Sequence, residues 1–203
     1  MKKYAVLHEP GDIVTLAGTR FVVLDVERRG SLPDSLFLLA LESVGASEFG
    51  SSNNYAESDL KKAVDKWLED MGKRGLDNAK LIPREIDLTT LDGSGCYGKL
   101  SVKAAPLTLD EAREYADIIP NAERWCWLAT GWSGPSKSDG DLALYVGSSG
   151  DWYGRSCSDS GGIRPALKIP SDLLLDSADK PDLSEVPTDT LLEEIRRRVV
   201  DKA

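Results

Sequence analysis

One histidine, three cysteines and two methionines are all that the 203 residues offer among the softer metal-ligating and redox-active side chains. Cys96, Cys126 and Cys157 are odd in number and show no CxxC spacing, so neither a disulfide framework nor a zinc site is indicated. No run approaches the ~20 apolar residues of a membrane helix, and membrane insertion is not expected. The apolar stretch near Met1 is too short for a secretion signal. Cytosolic synthesis without a signal peptide is therefore expected, and later display or virion association is compatible with it. Basic charge is also short. Lys and Arg number 25 against 34 Asp and Glu, leaving a net charge of −9 that repels nucleic-acid backbones, so nucleic acid is not an expected partner. The dense basic run Arg196-Arg197-Arg198 sits beside Glu193 and Glu194.

The signatures of catalysis are missing as well. His8 is the single imidazole, and no nucleophile-elbow sequence accompanies it. Gly93-Ser94-Gly95 lacks the lysine and helix of a phosphate loop. Asp139 and Asp141 flank Gly140, but two carboxylates fall short of the roughly six to eight oxygens that calcium takes. Asp87 with Asp92, and Glu57 with Asp59, make ordinary solvated surface as readily as paired acids. No catalytic residue, metal or cofactor is expected.

What is present is an ordinary complement of apolar residues, 41% of the chain, in patterns that change along it. Residues 13–16, 20–26 and 36–41 are β-rich runs, and the insert 28–35 makes the last two a hairpin with a long loop. From Ser58, a good cap, Leu60, Val64, Trp67, Leu68 and Met71 fall at helical spacing, with Gly72 and Gly75 as stops. Thr108 and Glu111 form a capping box at the start of a second helix, 108–116. Residues 91–98 carry no signal and are expected to be loop. Strand patterning returns at 124–130, 142–146 and 163–169. The fold class is α+β. Residues 171–187, rich in Asp, Ser and Pro, are expected to be a linker. Residues 188–203 are expected to form an amphipathic helix with Leu191, Leu192, Ile195 and Val199 on one side, able to dock on its own domain, a partner or a second copy.

The least ordinary stretch is GSSGDWYGRSCSDSGG, residues 147–162, which is almost without aliphatic residues yet runs straight into Ile163-Arg164-Pro165-Ala166-Leu167. Long polar loops in compact domains tend to be functional. Ser and Gly adapt to a partner, whereas Tyr and Trp supply rigid amphipathic area. Trp125 and Trp127 alternate on a strand and are expected to be frame. Cys126 lies on the opposite face from them, as a small buried hydrophobe. Trp132, beyond the strand, is a better ligand contact, and Arg164 is expected to satisfy buried carbonyls rather than clamp a ligand.

The order WCWLATGWS, LALYVGSSG and GGIRPAL resembles an uncharacterised family of bacterial and prophage domains with a Trp-Trp-Leu strand and a closing Gly-(Val/Ile)-Arg-Pro-Ala-Leu. That pattern is also similar to the variable proteins of diversity-generating retroelements and, distantly, to formylglycine-generating enzymes. The likeness covers about residues 10 to 170 and is specific at the closing motif. It implies a C-type-lectin-like fold over 1–170, in which small antiparallel sheets and two helices support a long irregular surface region. It also implies a non-enzymatic recognition module of phage or prophage type, with a protein or cell-surface ligand. The expected ligand-binding residues are Trp132, Ser149, Asp151, Trp152, Tyr153, Arg155, Ser158 and Asp159. Two other readings remain open: a phage assembly protein forming homo-oligomers through residues 188–203, and a degenerate formylglycine-generating enzyme, which requires Cys126 and Cys157 close together on a metal.

Overall fold

Alternating apolar residues lay down the frame. In the computed structural model, which describes residues 2–4, 8–29 and 32–177, the first half of the chain forms β1 (Lys2–Tyr4), β2 (Ile13–Leu16), β3 (Thr19–Arg29), β4 (Leu32–Ala40), β5 (Ala46–Glu48), α1 (Asp59–Lys73), β6 (Arg84–Asp87) and β7 (Lys99–Val102). The second half adds β8 (Ala104–Ala105), α2 (Leu109–Glu114), β9 (Cys126–Gly131), β10 (Leu142–Val146), β11 (Trp152–Ser156), β12 (Ser160–Gly162), β13 (Ala166–Pro170) and β14 (Leu174–Ser177). The architecture is α+β. A seven-stranded sheet runs β1-β14-β2-β3-β4-β13-β8, a five-stranded sheet runs β11-β10-β9-β12-β5, and β6 pairs with β7. Pairing is antiparallel except where β12 meets β9 at Gly162 and Cys126.

Strand periodicity divides the interior into two cores. Phe21, Val23, Leu36 and Leu38 point to one side of the large sheet, where they join Leu60, Val64 and Met71 of α1. Val22, Leu24, Phe37 and Leu39 point to the other, where they meet Leu109 and Ala112 of α2 and Leu128 and Leu144 of the five-stranded sheet. The large sheet is thus covered by α1 on one face and by α2 with the smaller sheet on the other.

Both helices start where their caps place them. Ser58 Oγ accepts from the Lys61 amide at 2.9 Å, and α1 stops at Arg74 before Gly75, whose φ of +101° suits glycine. In α2 the Thr108–Glu111 capping box is complete. The Glu111 carboxylate has a second role. It pairs with the buried guanidinium of Arg84 on β6, whose Nη2 donates to the carbonyls of Ala105 and Pro106 at 3.1 Å each. One carboxylate therefore fixes the helix start, a neighbouring strand and the turn between them.

Three expectations change. The β3–β4 hairpin is longer and its loop shorter than 28–35, because the strands run through Arg29 and resume at Leu32. β6 and β7 are additional; their signal is the alternation of buried Arg84 and Ile86 with exposed Glu85 and Asp87, too short to stand out by itself. Within 171–187, Leu174–Ser177 form β14, paired with β1 and β2, so that part is sheet rather than linker. The Leu173-Leu174-Leu175 run was its sign. The remainder of that segment and the helix expected over 188–203 lie outside the described residues.

Replacing Glu111 by Gln removes the only acidic partner shown for a buried cation among the described residues. A loss of about 3 kcal/mol in urea unfolding is expected, with only part of it recovered in the Glu111→Gln/Arg84→Met double variant, which also removes the donors to the Ala105 and Pro106 carbonyls.

Candidate functional site

The polar stretch is ordered. Residues 147–162, expected to be an irregular surface, instead turn the tight β10–β11 hairpin and then form β12. The hairpin is in register from Leu142 opposite Ser156 to Val146 opposite Trp152. Its turn closes with Gly147 N to Asp151 O at 2.7 Å and Gly150 N to Gly147 O at 3.0 Å. Ser149 Oγ donates to Asp151 Oδ2 at 2.7 Å, and Gly150 takes a φ of +89°.

β11 is an edge strand, and its alternation sends neighbouring candidates to opposite faces. On one face, Tyr153 and Arg155 lie over a ladder of rings. Phe49 meets Trp127 at 5.5 Å between centroids, Trp127 meets Trp125 at 4.9 Å, Trp125 meets Tyr145 at 5.0 Å, and Tyr145 meets Tyr153 at 5.8 Å. The Arg155 guanidinium stacks 4.8 Å from the Trp125 centroid and is held there by Nε to Asp159 Oδ2 at 2.7 Å. The inner end of the ladder is fixed by Trp127 Nε1 donating to Ser47 O at 3.0 Å. On the other face, Trp152 sits 5.8 Å from the Arg113 guanidinium. Trp152 and Tyr153 are 39% and 52% exposed, and with Leu91 they are the exposed large hydrophobics among the described residues.

The expected single patch is therefore two. Tyr153, Arg155 and Asp159 share one face, and Trp152 belongs to the other. Ser149 and Asp151 are exposed at the hairpin turn, and exposed Ser158 follows β11, its hydroxyl 2.9 Å from that of Ser156. Trp132 is half-buried against the second core, and the reason lies in β11. A Cβ on Gly154 would stand 2.4 Å from Trp132 Cε3, so the absent side chain is the seat of that indole. Gly161 serves Trp125 and Trp127 in the same way, with 2.3 Å and 2.6 Å to their rings. These glycines are slots for tryptophans, a role that depends on partners distant in sequence.

The remaining candidates are structural. Trp125 and Trp127 are frame, and Arg164 does satisfy a buried carbonyl, Ala40 O, at 2.7 Å. Asp87 accepts from the amide and hydroxyl of Thr89 at 2.8 and 2.6 Å, closing its own turn. Asp92 is held down to about 2 by Lys137 first and Thr90 second. Asp59 pairs with Lys62 at 2.7 Å. No group of three or more His, Cys, Asp or Glu able to hold a metal occurs among the described residues. Cys126 and Cys157 are both free and buried. Burial raises both thiols, Cys157 to about 12, the opposite of what a nucleophile or metal ligand needs. No helix among the described residues is long and apolar enough to cross a membrane.

Native thiol titration at pH 8 should find Cys96 reactive and Cys126 and Cys157 silent until denaturant is added, because a raised pKa leaves little thiolate at that pH. Reaction of two or three thiols in the native state would contradict the burial described. Gly154→Ala should cost about 1–3 kcal/mol in denaturant unfolding by displacing Trp132, and red-shifted tryptophan emission should accompany the loss.

Compared with protein-family models, curated proteins and solved structures, the chain matches none.

Proposed function

We propose that this chain is a non-enzymatic recognition module of the C-type-lectin-like, phage or prophage kind, binding a protein or cell-surface ligand through the Tyr153–Arg155 face of its β10–β11 hairpin. One observation carries the reading. A tyrosine more than half exposed and a stacked arginine lie side by side on a rigid aromatic ladder, with the arginine already oriented by Asp159. Tyr and Arg are residue types that concentrate binding energy, and fixing them beforehand lowers the entropy lost on association. Asp159 beside them, with Ser149, Asp151 and Ser158 nearby, supplies adaptable hydrogen bonds. Trp152 offers a second contact at the other flank of the same edge strand, whereas Trp132 acts as a brace. An edge strand also leaves one row of backbone groups for a partner to engage.

The C-type-lectin-like assignment draws support from the α+β architecture with two helices, antiparallel sheets and a polar hairpin carried on a Trp-rich strand. The raised thiol pKa values favour recognition over cysteine chemistry. If the surface is diversified, a reverse transcriptase gene and a near-copy of the segment encoding residues 130–165 should lie beside this gene.

The test is a binding screen of arrayed glycans and host-surface proteins with the wild type, Tyr153→Ala and Arg155→Ala. Any ligand of this face should lose about 1–3 kcal/mol of affinity in each variant while the melting temperature stays close to wild type. Ligands retained equally by all three proteins, or unfolding of Tyr153→Ala, would overturn the assignment of this face.

A further inference from the structure

On the opposite side of the small sheet from Tyr153, between α2, residues 119–122 and strands β9 and β10, lies a cavity of about 90 Å³. Its walls are mostly hydrocarbon, with Leu107, Ile119, Leu128 and Val146 among them. Trp152 and Ala116, both exposed, also line it and mark where it opens. One charged side chain lines the same space, that of Arg164.

Arg164 is 6% exposed. Its Nε is used by the Ala40 carbonyl, but its buried Nη2 has no partner. Among the described residues no carboxylate forms an ion pair with it. Glu42, the acid whose field it feels, is exposed. The nearby Cys126 thiol contributes no negative charge, since burial raises its pKa. Burial works against the guanidinium charge, yet arginine keeps its proton at neutral pH. A largely buried cation without an acidic partner is unfavourable, and an unpartnered N–H on a residue that lines an apolar cavity is a group that an amphipathic anion would complete.

We propose that this cavity binds a short-chain aliphatic carboxylate, its oxygens accepting from Arg164 Nη2 and its hydrocarbon body packed against Leu128 and Val146. Size bounds the buried part of the ligand. A cavity of roughly 150 Å³ holds a benzene molecule, so the smaller space here suits a body below that size, such as the propyl chain of butyrate. Recognition divides between the walls, which exclude water, and the guanidinium, which selects charge. The site does not depend on the Tyr153–Arg155 face, which lies across the sheet.

The full-length protein would be titrated with butyrate and with butyramide, its uncharged near-isostere, following amide NMR shifts and melting temperature. Butyrate should bind saturably with a Kd of about 1 mM, the scale open to so small a ligand, and should move the amides of Leu128, Val146 and Arg164. Butyramide should bind at least about tenfold more weakly, because it lacks the charge that strengthens the Nη2 hydrogen bond. Arg164→Met should abolish the preference for the acid. If that variant fails to fold, Ala116→Leu, an exposed substitution at the opening, should weaken butyrate by about tenfold with the fold intact. Tyr153→Ala should leave butyrate binding unchanged, so failure of this site and failure of the recognition face are separable. Equal binding of acid and amide, shifts confined to residues away from the cavity, or no saturation by butyrate would overturn the proposal.

Discussion

The segment from Ser160 to Pro170 belongs to both sheets, and the rest of the molecule is arranged around that hand-over. Its first three residues, β12, pair with β5 and touch β9; its last five, β13, pair with β4 and β8. Because β4 and β5 are themselves consecutive, two stretches of chain run antiparallel to each other from one sheet into the next. At the crossing, Val44 N to Ile163 O at 2.8 Å, Ile163 N to Gly45 O at 3.0 Å and Ala40 N to Pro165 O at 2.8 Å keep the ribbon paired while it bends. Pro165 has no N–H to give, and the Arg164 side chain adds a bond to Ala40 O across the same gap. The closing motif is compact in sequence because it has to make this transfer within three residues.

The small sheet then carries the proposed binding face, and rings set into missing side chains brace it. Edge-to-face pairs from Phe49 through Trp127 and Trp125 to Tyr145 form a continuous brace from the interior to the edge strand. Such pairs add contact energy beyond buried area, and they fix ring orientation. Gly161 lets the Trp125 and Trp127 indoles approach the backbone closely enough for the ladder to close, while Gly154 seats Trp132 on the other face of the sheet. A composition that resembles a flexible loop thus produces a rigid hairpin, because its glycines are filled by tryptophans from elsewhere in the chain.

Much of the frame was legible because its causes are local. The Ser58 cap, the Thr108–Glu111 box and the β-rich runs at 13–16, 20–26 and 36–41 all appear as elements close to those positions. The faces of Trp125, Cys126 and Trp127 followed from alternation alone. The same rule applied to Trp-Tyr-Gly-Arg-Ser would have separated Trp152 from Tyr153, but the surrounding Gly and Ser made 147–162 look too irregular to carry a period. The half-burial of Trp132 was not legible, for a different reason. Its burial depends on the space left at Gly154, and nothing near residue 132 records it. Arg164 was legible as a carbonyl partner, while its unpaired Nη2 and the cavity beside it arise only when β9, β10 and α2 are assembled.

Charge gives the edge of the small sheet its character. The chain carries a net charge of −9, so its long-range field disfavours the approach of anions. Three guanidinium groups nevertheless gather around this sheet: Arg155 over Trp125, Arg113 beside Trp152, and Arg164 in the cavity. Arg113 and Arg155 are exposed, ring-stacked and paired with Asp110 and Asp159, whereas Arg164 is withdrawn from solvent, where its interactions are less screened. Attraction is therefore confined to contact distance. For the anionic ligand proposed here, the long-range field gives no steering, and selection would follow encounter, through the fit of its charge to a guanidinium and of its apolar part to the cavity walls. That division between a repelling exterior and short-range, preoriented cations favours discrimination by dissociation rate over capture by association rate.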